Sequence, residues 1–201
     1  MQLQQALSQI AEIRRQMSFA RHFRGFRAAT TFLTALGALA AGGYQLWQIP
    51  DPANHPMQFL TVWVALALLS IAICSVEVIR RYIDSDSPSQ QELALLTTQQ
   101  FLPFVLVGGL LTLVFIQDVS QSLWMLPGLW QILFGLGLFS LRRLFPQPII
   151  FIGAFYVLCG LLNISGSIPH FSPLSMAIPF SIGQASSAFV LYWYLERHHA
   201  A

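Results

Sequence analysis

Residues 101–146 constrain the fold more than any other part of this chain. They form two apolar runs separated by a short polar turn, and neither run keeps a polar face. A helix that is apolar on all sides belongs either in a deep protein core or in lipid. A chain of 201 residues is too short to bury several such helices in one soluble core. The sequence therefore predicts a membrane protein.

The composition agrees with that prediction. Only 9% of the residues are charged, whereas a soluble domain carries about a quarter. The formal net charge of +2 comes from clustered arginines that are too sparse to solvate a globule. We therefore expect the lipid bilayer as a partner and no direct binding of nucleic acid.

The apolar runs and the turns between them predict an all-α, polytopic membrane protein. We place six transmembrane helices in three hairpins at about 26–47, 59–79, 99–116, 123–141, 149–164 and 174–195. Together they form a membrane domain over 25–197. In the first span Gly37 and Ala41 lie four residues apart, which favours close approach of another helix.

The segment 1–24 precedes these spans and has a different pattern. Its apolar residues alternate at spacings of three and four, as on one stripe of a helix. We predict an amphipathic cytoplasmic helix that either lies on the membrane surface or docks a partner. The stripe consists of Leu3, Ala6, Ile10, Ile13, Met17 and Ala20.

The basic residues predict how the chain sits in the membrane. All ten are arginine, and each lies in 1–27, in the 2–3 link, in the 4–5 link or at the carboxyl terminus. None lies in the three loops near 48–58, 117–122 and 163–173. The positive-inside rule therefore predicts a multi-pass membrane protein with both termini in the cytoplasm.

Several motifs give the chain a family resemblance. They are IAEIRRQM and FRGFRAATTFLTALGALAAG near the start, LPFVLVGGLLT and LPGLWQILFGLGLFSLRRLFP in the middle, then IGAFYVLCGLLNI and MAIPFSIGQASSAFVLYW. With these motifs the chain resembles a family of small bacterial six-span membrane proteins of unassigned function. The resemblance implies a fold and leaves the chemistry open, because its motifs consist mainly of glycine, proline and aromatic positions.

One acidic residue lies within an apolar run. Glu77 precedes Arg80 and Arg81 by three and four residues, so all three share one helical face. Ionisable groups inside a span are functional candidates. Because Glu77 lies near the inner interface, we predict a membrane ion pair at the helix end, with a proton or cation site as the alternative.

Polar residues near the middle of the last three spans form the second candidate site. Gln131, Tyr156 and Gln184 each fall in a different span, and Ser181 shares the face of Gln184. A bare amide in hydrocarbon costs several kcal/mol, so we expect these groups to point inward. They form either a packing clasp between helices or the wall of a ligand-binding site.

Catalytic and metal-binding patterns do not stand out. His55 and His170 lie in proline-bent loops without ligand spacing, and the sequence lacks nucleophile, phosphate-loop and zinc motifs. We predict no enzyme activity, no metal and no cofactor.

Three functions stay open at this point. The first is a non-enzymatic sensor or scaffold that docks a second copy or a membrane-complex partner. The second is a small-molecule permease or channel with the polar site just described. The third is an accessory subunit of a respiratory or photosynthetic membrane complex.

Overall fold

A computed structural model describes residues 28–49, 51–84, 88–117 and 120–197. Over these ranges the chain is helical and contains no strand, which confirms the all-α prediction there. The predicted amphipathic helix 1–24 lies outside the described residues. The main helices are α1 (Ala28–Gln48), α2 (Pro56–Asp84), α3 (Pro88–Gln117), α4 (Leu126–Ser140), α5 (Ile149–Ile164) and α6 (Pro173–Leu191). Short 3₁₀ segments, Ser120–Met125 and Leu141–Arg143, flank α4, and a π-helical turn, Tyr192–Glu196, follows α6.

Prolines mark where these helices begin. Pro56, Pro88 and Pro173 are the first residues of α2, α3 and α6. Pro127 is the second residue of α4, and Pro148 directly precedes α5. The first turn of a helix has no intrahelical use for its N–H groups, so proline fits there without losing a hydrogen bond. The proline positions therefore fix where most of the links end.

Four segments are long and apolar enough to cross a membrane. They are Pro56–Asp84, Gln90–Gln117, Gln121–Arg143 and Pro173–Tyr194. Helix α5 is also apolar but shorter, and α1 is not among the four. Their length and composition indicate a membrane protein, while the first and fifth of the six predicted spans stay predictions.

Helices α1 and α6 form one of two extensive helix pairs. The buried residues of α1 recur at alternating spacings of three and four and are mostly small; they are Ala28, Thr31, Ala35, Ala38, Gly42 and Gln45. Gly42 lies directly against Ala177 of α6. Gly37 lies against α2, where an added Cβ would be 2.9 Å from Leu66 Cδ1, and the close approach to α6 is made by Gly42. We call this contact the α1–α6 seam.

Helices α4 and α5 form the second extensive pair. Two glycines of each helix meet backbone to backbone across it. A Cβ atom on Gly128 would lie 2.7 Å from the Gly160 carbonyl oxygen, and one on Gly160 would lie 2.6 Å from the Gly128 carbonyl oxygen. Gly135 and Gly153 face each other in the same reciprocal way, at 2.6 and 3.0 Å. Only glycine permits two helices to approach this closely.

Helices α2 and α3 lie outside these two pairs. The most apolar stretch of α3 buries none of its residues inside the protein, and that of α2 buries 17%. Helix α2 packs against α1, and α3 packs against α4. Their outward side chains therefore face the surroundings of the protein, which for a membrane protein means lipid or another membrane protein.

Successive helices run up and down. Gln45 contacts Phe59 across the α1–α2 hairpin, and Trp130 contacts Thr112 across the α3–α4 hairpin. The glycine pairs show that α4 and α5 are also antiparallel. Helices α2, α4 and α6 consequently end on one side of the bundle, which we call the arginine end. Its described arginines are Arg80, Arg142, Arg143 and Arg197.

Candidate functional site in the helix bundle

A proline inside α6 creates the polar centre of the bundle. Pro179 has no backbone N–H, so the carbonyl of Ser175 four residues earlier loses its helical partner. Gln131 of α4 donates from Nε2 to this carbonyl oxygen at 2.7 Å, and Asn163 of α5 donates from Nδ2 at 3.3 Å. Two side-chain amides thus satisfy the carbonyl that Pro179 leaves unpaired.

The two amides also bind each other. Asn163 Nδ2 donates to Gln131 Oε1 at 3.1 Å, and Gln131 Nε2 lies 3.5 Å from the sulfur of Met176. Gln131 has no exposed surface, and both of its amide hydrogens have partners. We call Gln131, Asn163 and the Ser175 carbonyl the amide clasp. Of the two interpretations of Gln131 from the sequence, its contacts are those of a packing clasp.

Tyr156 lies apart from the clasp, in an aromatic layer. Its side chain has no exposed surface, and its ring centroid lies 4.8 Å from that of Phe134 and 5.3 Å from that of Phe180. The ring and its hydroxyl press against Gly183 of α6, where no Cβ would fit. Within the described ranges, the buried Tyr156 hydroxyl has no hydrogen-bond partner.

Ser181 and Gln184 belong to the opposite side of α6. Ala177 and Ala188 on that side contact α1, at Gly42 and in a cluster with Ala28. Ser181 is buried, and its hydroxyl lacks a hydrogen-bond partner among the described residues. Gln184 is half-buried and forms no side-chain hydrogen bond with another described residue. The four predicted residues therefore do not converge on one point.

Gln45 is a third buried amide, and like Asn163 it is not among the site residues predicted from the sequence. Gln45, which has no exposed surface, donates from Nε2 to the Phe59 carbonyl oxygen at 2.9 Å. Its Oε1 accepts the indole N–H of Trp63 at 2.9 Å. The sequence feature that could have identified Gln45 is its spacing: it lies seven residues after Ala38, on the same buried stripe of α1. The signal for the amide clasp is Pro179, since a proline inside a span always frees a carbonyl.

The predicted ion pair lies on α2. Glu77 is half-buried and Arg80 is exposed, while the side chain of Arg81 lies outside what the structure describes. The pairing of these three charges stays a prediction. Arg80 lies about one turn and Glu77 about two turns before the end of α2 at Asp84, and their location at the membrane interface stays a prediction.

The two described histidines, His55 and His170, occupy separate places. The His170 ring packs against Trp124 with centroids 4.4 Å apart and a tilt of 45°, and His55 is exposed in the link between α1 and α2. Among the described residues, no three His, Cys, Asp or Glu side chains come together in a group that could hold a metal ion.

Comparison with known proteins adds no relative to this description. No protein-family model, curated protein or solved structure matches the chain.

Proposed function

We propose that the protein is a non-enzymatic membrane module that acts as a scaffold or sensor by docking partner helices. The amide clasp is the observation that carries this proposal. The buried amides of Gln131 and Asn163 bind each other and a backbone carbonyl, so they hold helices α4, α5 and α6 together. The outward faces of α2 and α3 supply the apolar surface that a partner helix would use.

The proposal includes a placement in the bacterial inner membrane. Six helices would cross the bilayer, with both chain ends in the cytoplasm beside the arginine end. Support comes from the up-and-down order of the helices and from the arginines at one end. Helix α5 has 16 residues, about 24 Å at 1.5 Å per residue. That is shorter than a hydrocarbon core of about 30 Å, so the bilayer would have to thin beside it.

The predicted cytoplasmic helix provides the test. Deleting residues 2–20 from the full chain should change the oligomer size in detergent and in nanodiscs, or abolish the capture of a partner from membranes. The thermal midpoint of the membrane domain should stay the same. Unchanged assembly together with unchanged partner capture would contradict the scaffold function.

A small-molecule permease is the second candidate. The buried hydroxyl of Ser181 favours it, because this hydroxyl lacks a hydrogen-bond partner among the described residues and a polar solute could satisfy it. Proteoliposomes should then show a flux that Ser181→Ala or Gln184→Leu lowers. Flux that is indistinguishable from empty liposomes across neutral, acidic and basic solutes would remove this candidate.

The third function stays open as well. An accessory subunit of a respiratory or photosynthetic complex would co-purify with that complex in mild detergent and become unstable alone. The exposed faces of α2 and α3 suit such a role as well as a scaffold role, and co-purification distinguishes them.

A further inference from the structure

Two arginines stand without acidic neighbours in the second half of the chain. Residues 119–195 contain no Asp, Glu or Lys, and Arg142 and Arg143 are their only arginines. Both side chains are exposed in the turn after α4. Within the part of the chain that the structure describes, neither forms an ion pair or a side-chain hydrogen bond. Residues 119–195 therefore supply no counter-anion for these two arginines.

The turn that carries these arginines is firmly held. Leu141 is buried, and the N–H groups of Leu144 and Phe145 donate to its carbonyl oxygen at 2.9 and 3.1 Å. Phe145 packs against two clusters of core residues. The two guanidinium groups therefore project from a backbone that the core fixes in place.

Arg197, at the same end of the bundle, is in a different situation. Its guanidinium carbon lies 4.1 Å from the centre of the Trp193 ring. A cation that stacks on an aromatic ring already has a favourable partner inside the protein. Arg197 thus provides a matched control, with the same charge at the same end but a different environment.

An apolar stripe leads away from the arginine turn along α5. Phe151, Leu158 and Leu162 are spaced seven and four residues apart, which places them on one face of the helix. The exposed fraction of the side chain is 77% for Phe151, 61% for Leu158 and 52% for Leu162. The surface therefore offers two cations at one end and hydrocarbon contact over the length of a helix.

We propose that Arg142 and Arg143 bind the phosphate of an anionic phospholipid whose acyl chains lie along the outer face of α5. Guanidinium groups bind phosphate oxygens through paired, charge-assisted hydrogen bonds. A free phosphate ion would use the arginines alone, whereas a phospholipid uses the arginines and the stripe. The inference rests on the membrane placement proposed above.

The arginines also lie near the carboxyl end of α4, where positive charge stabilises the unpaired carbonyls. This stabilisation of the helix end does not depend on the charge of the surrounding lipid. A binding site for an anionic phospholipid does depend on it, so a comparison of anionic and zwitterionic lipids distinguishes the two roles. The full-length protein is reconstituted into nanodiscs with equal parts of phosphatidylglycerol and phosphatidylcholine. The lipids it retains after transfer to detergent are then counted by native mass spectrometry.

The wild type should retain phosphatidylglycerol in preference to phosphatidylcholine. The variant R142Q/R143Q should lower that preference about tenfold, while R197Q leaves it unchanged. R142K/R143K keeps the charge without the planar fork and should fall between them. Equal thermal midpoints in nanodiscs of phosphatidylcholine alone establish that each variant is folded.

Three results would overturn the lipid site. They are no lipid preference in the wild type, an unchanged preference in R142Q/R143Q, or an equal loss in R197Q, which would indicate a general charge effect. Failure of the wild type to enter phosphatidylcholine nanodiscs would instead overturn the membrane placement and the lipid site together.

Discussion

At the scale of single residues, the bundle is organised around backbone groups that proline leaves unpaired. The Ser175 carbonyl would be an uncompensated polar group in an apolar interior without Gln131 and Asn163. Such a group costs several kcal/mol, which explains why two amides come together there. The sequence indicated that Gln131 points inward. It did not identify Asn163, which had been placed at the start of a loop.

A double-mutant cycle tests this explanation. Gln131→Leu should lower the free energy of unfolding by about 1 to 2 kcal/mol, measured by denaturant titration in mixed micelles. Pro179→Ala restores an N–H that can bind the Ser175 carbonyl within α6, so in that background Gln131→Leu should cost less. Gln184→Leu serves as the control, since Gln184 forms no such bond, and should change the stability little. Equal costs of Gln131→Leu in both backgrounds would contradict the role given to Pro179.

The contact between Tyr156 and Gly183 makes a second prediction at this scale. Gly183→Ala would drive a methyl group into the Tyr156 ring, and the overlap should destabilise the protein by about 1 to 3 kcal/mol. Tyr156→Phe removes only a hydroxyl that lacks a partner among the described residues, so its effect on the thermal midpoint should be small or favourable. A large loss of stability in Tyr156→Phe would mean that the hydroxyl has an essential partner.

At the scale of helices, glycine position decides which pairs approach closely. Gly128 and Gly160 meet backbone to backbone, and so do Gly135 and Gly153. In each helix these two glycines lie seven residues apart, a regular period that keeps them on one stripe. The sequence located the helix itself well, since the predicted fifth span at 149–164 has the bounds of α5. The sequence could not predict that α5 packs against α4, because a stripe of glycines can pack against any helix that carries a matching stripe.

Matched glycine substitutions test this point. Gly160→Ala places a Cβ against the backbone of α4, so α4 and α5 must separate and the thermal midpoint should fall by several degrees. Gly109→Ala is the control, since a Cβ there meets nothing within 4 Å. Alanine is also the better helix former, so Gly109→Ala should be neutral or slightly stabilising. The explanation fails when both variants lose stability equally.

At the scale of the whole molecule, the proposed orientation is the property most open to direct measurement. The variants Ala201→Cys and Ser167→Cys are made after replacing Cys74 and Cys159 by alanine. A maleimide that cannot cross membranes should label Ser167→Cys in intact cells, because that loop lies opposite the arginine end. It should label Ala201→Cys only after the cells are opened. Labelling of the chain end in intact cells would contradict the proposed placement.

The overall order of the helices could be predicted, but their partners in space could not. Arginine positions and apolar runs set the alternation of direction, and both are local properties of the sequence. The pairing of α1 with α6 is not local. The small residues Ala35, Ala38 and Gly42 allow another helix to pack closely, but they do not determine which helix it is. For the same reason, Ser181 and Gln184 were grouped with Gln131 although α6 turns them toward α1.

The α1–α6 seam joins the first described helix to the last one. In the proposed placement, α1 would therefore enter the bilayer long before its main partner has left the ribosome. Its alanine and glycine face would contact lipids or insertion factors until residues 173–191 are synthesised. A fragment that ends before α6 would contain α1 to α5 but would lack the main partner of α1. We expect membrane proteases to degrade such a fragment.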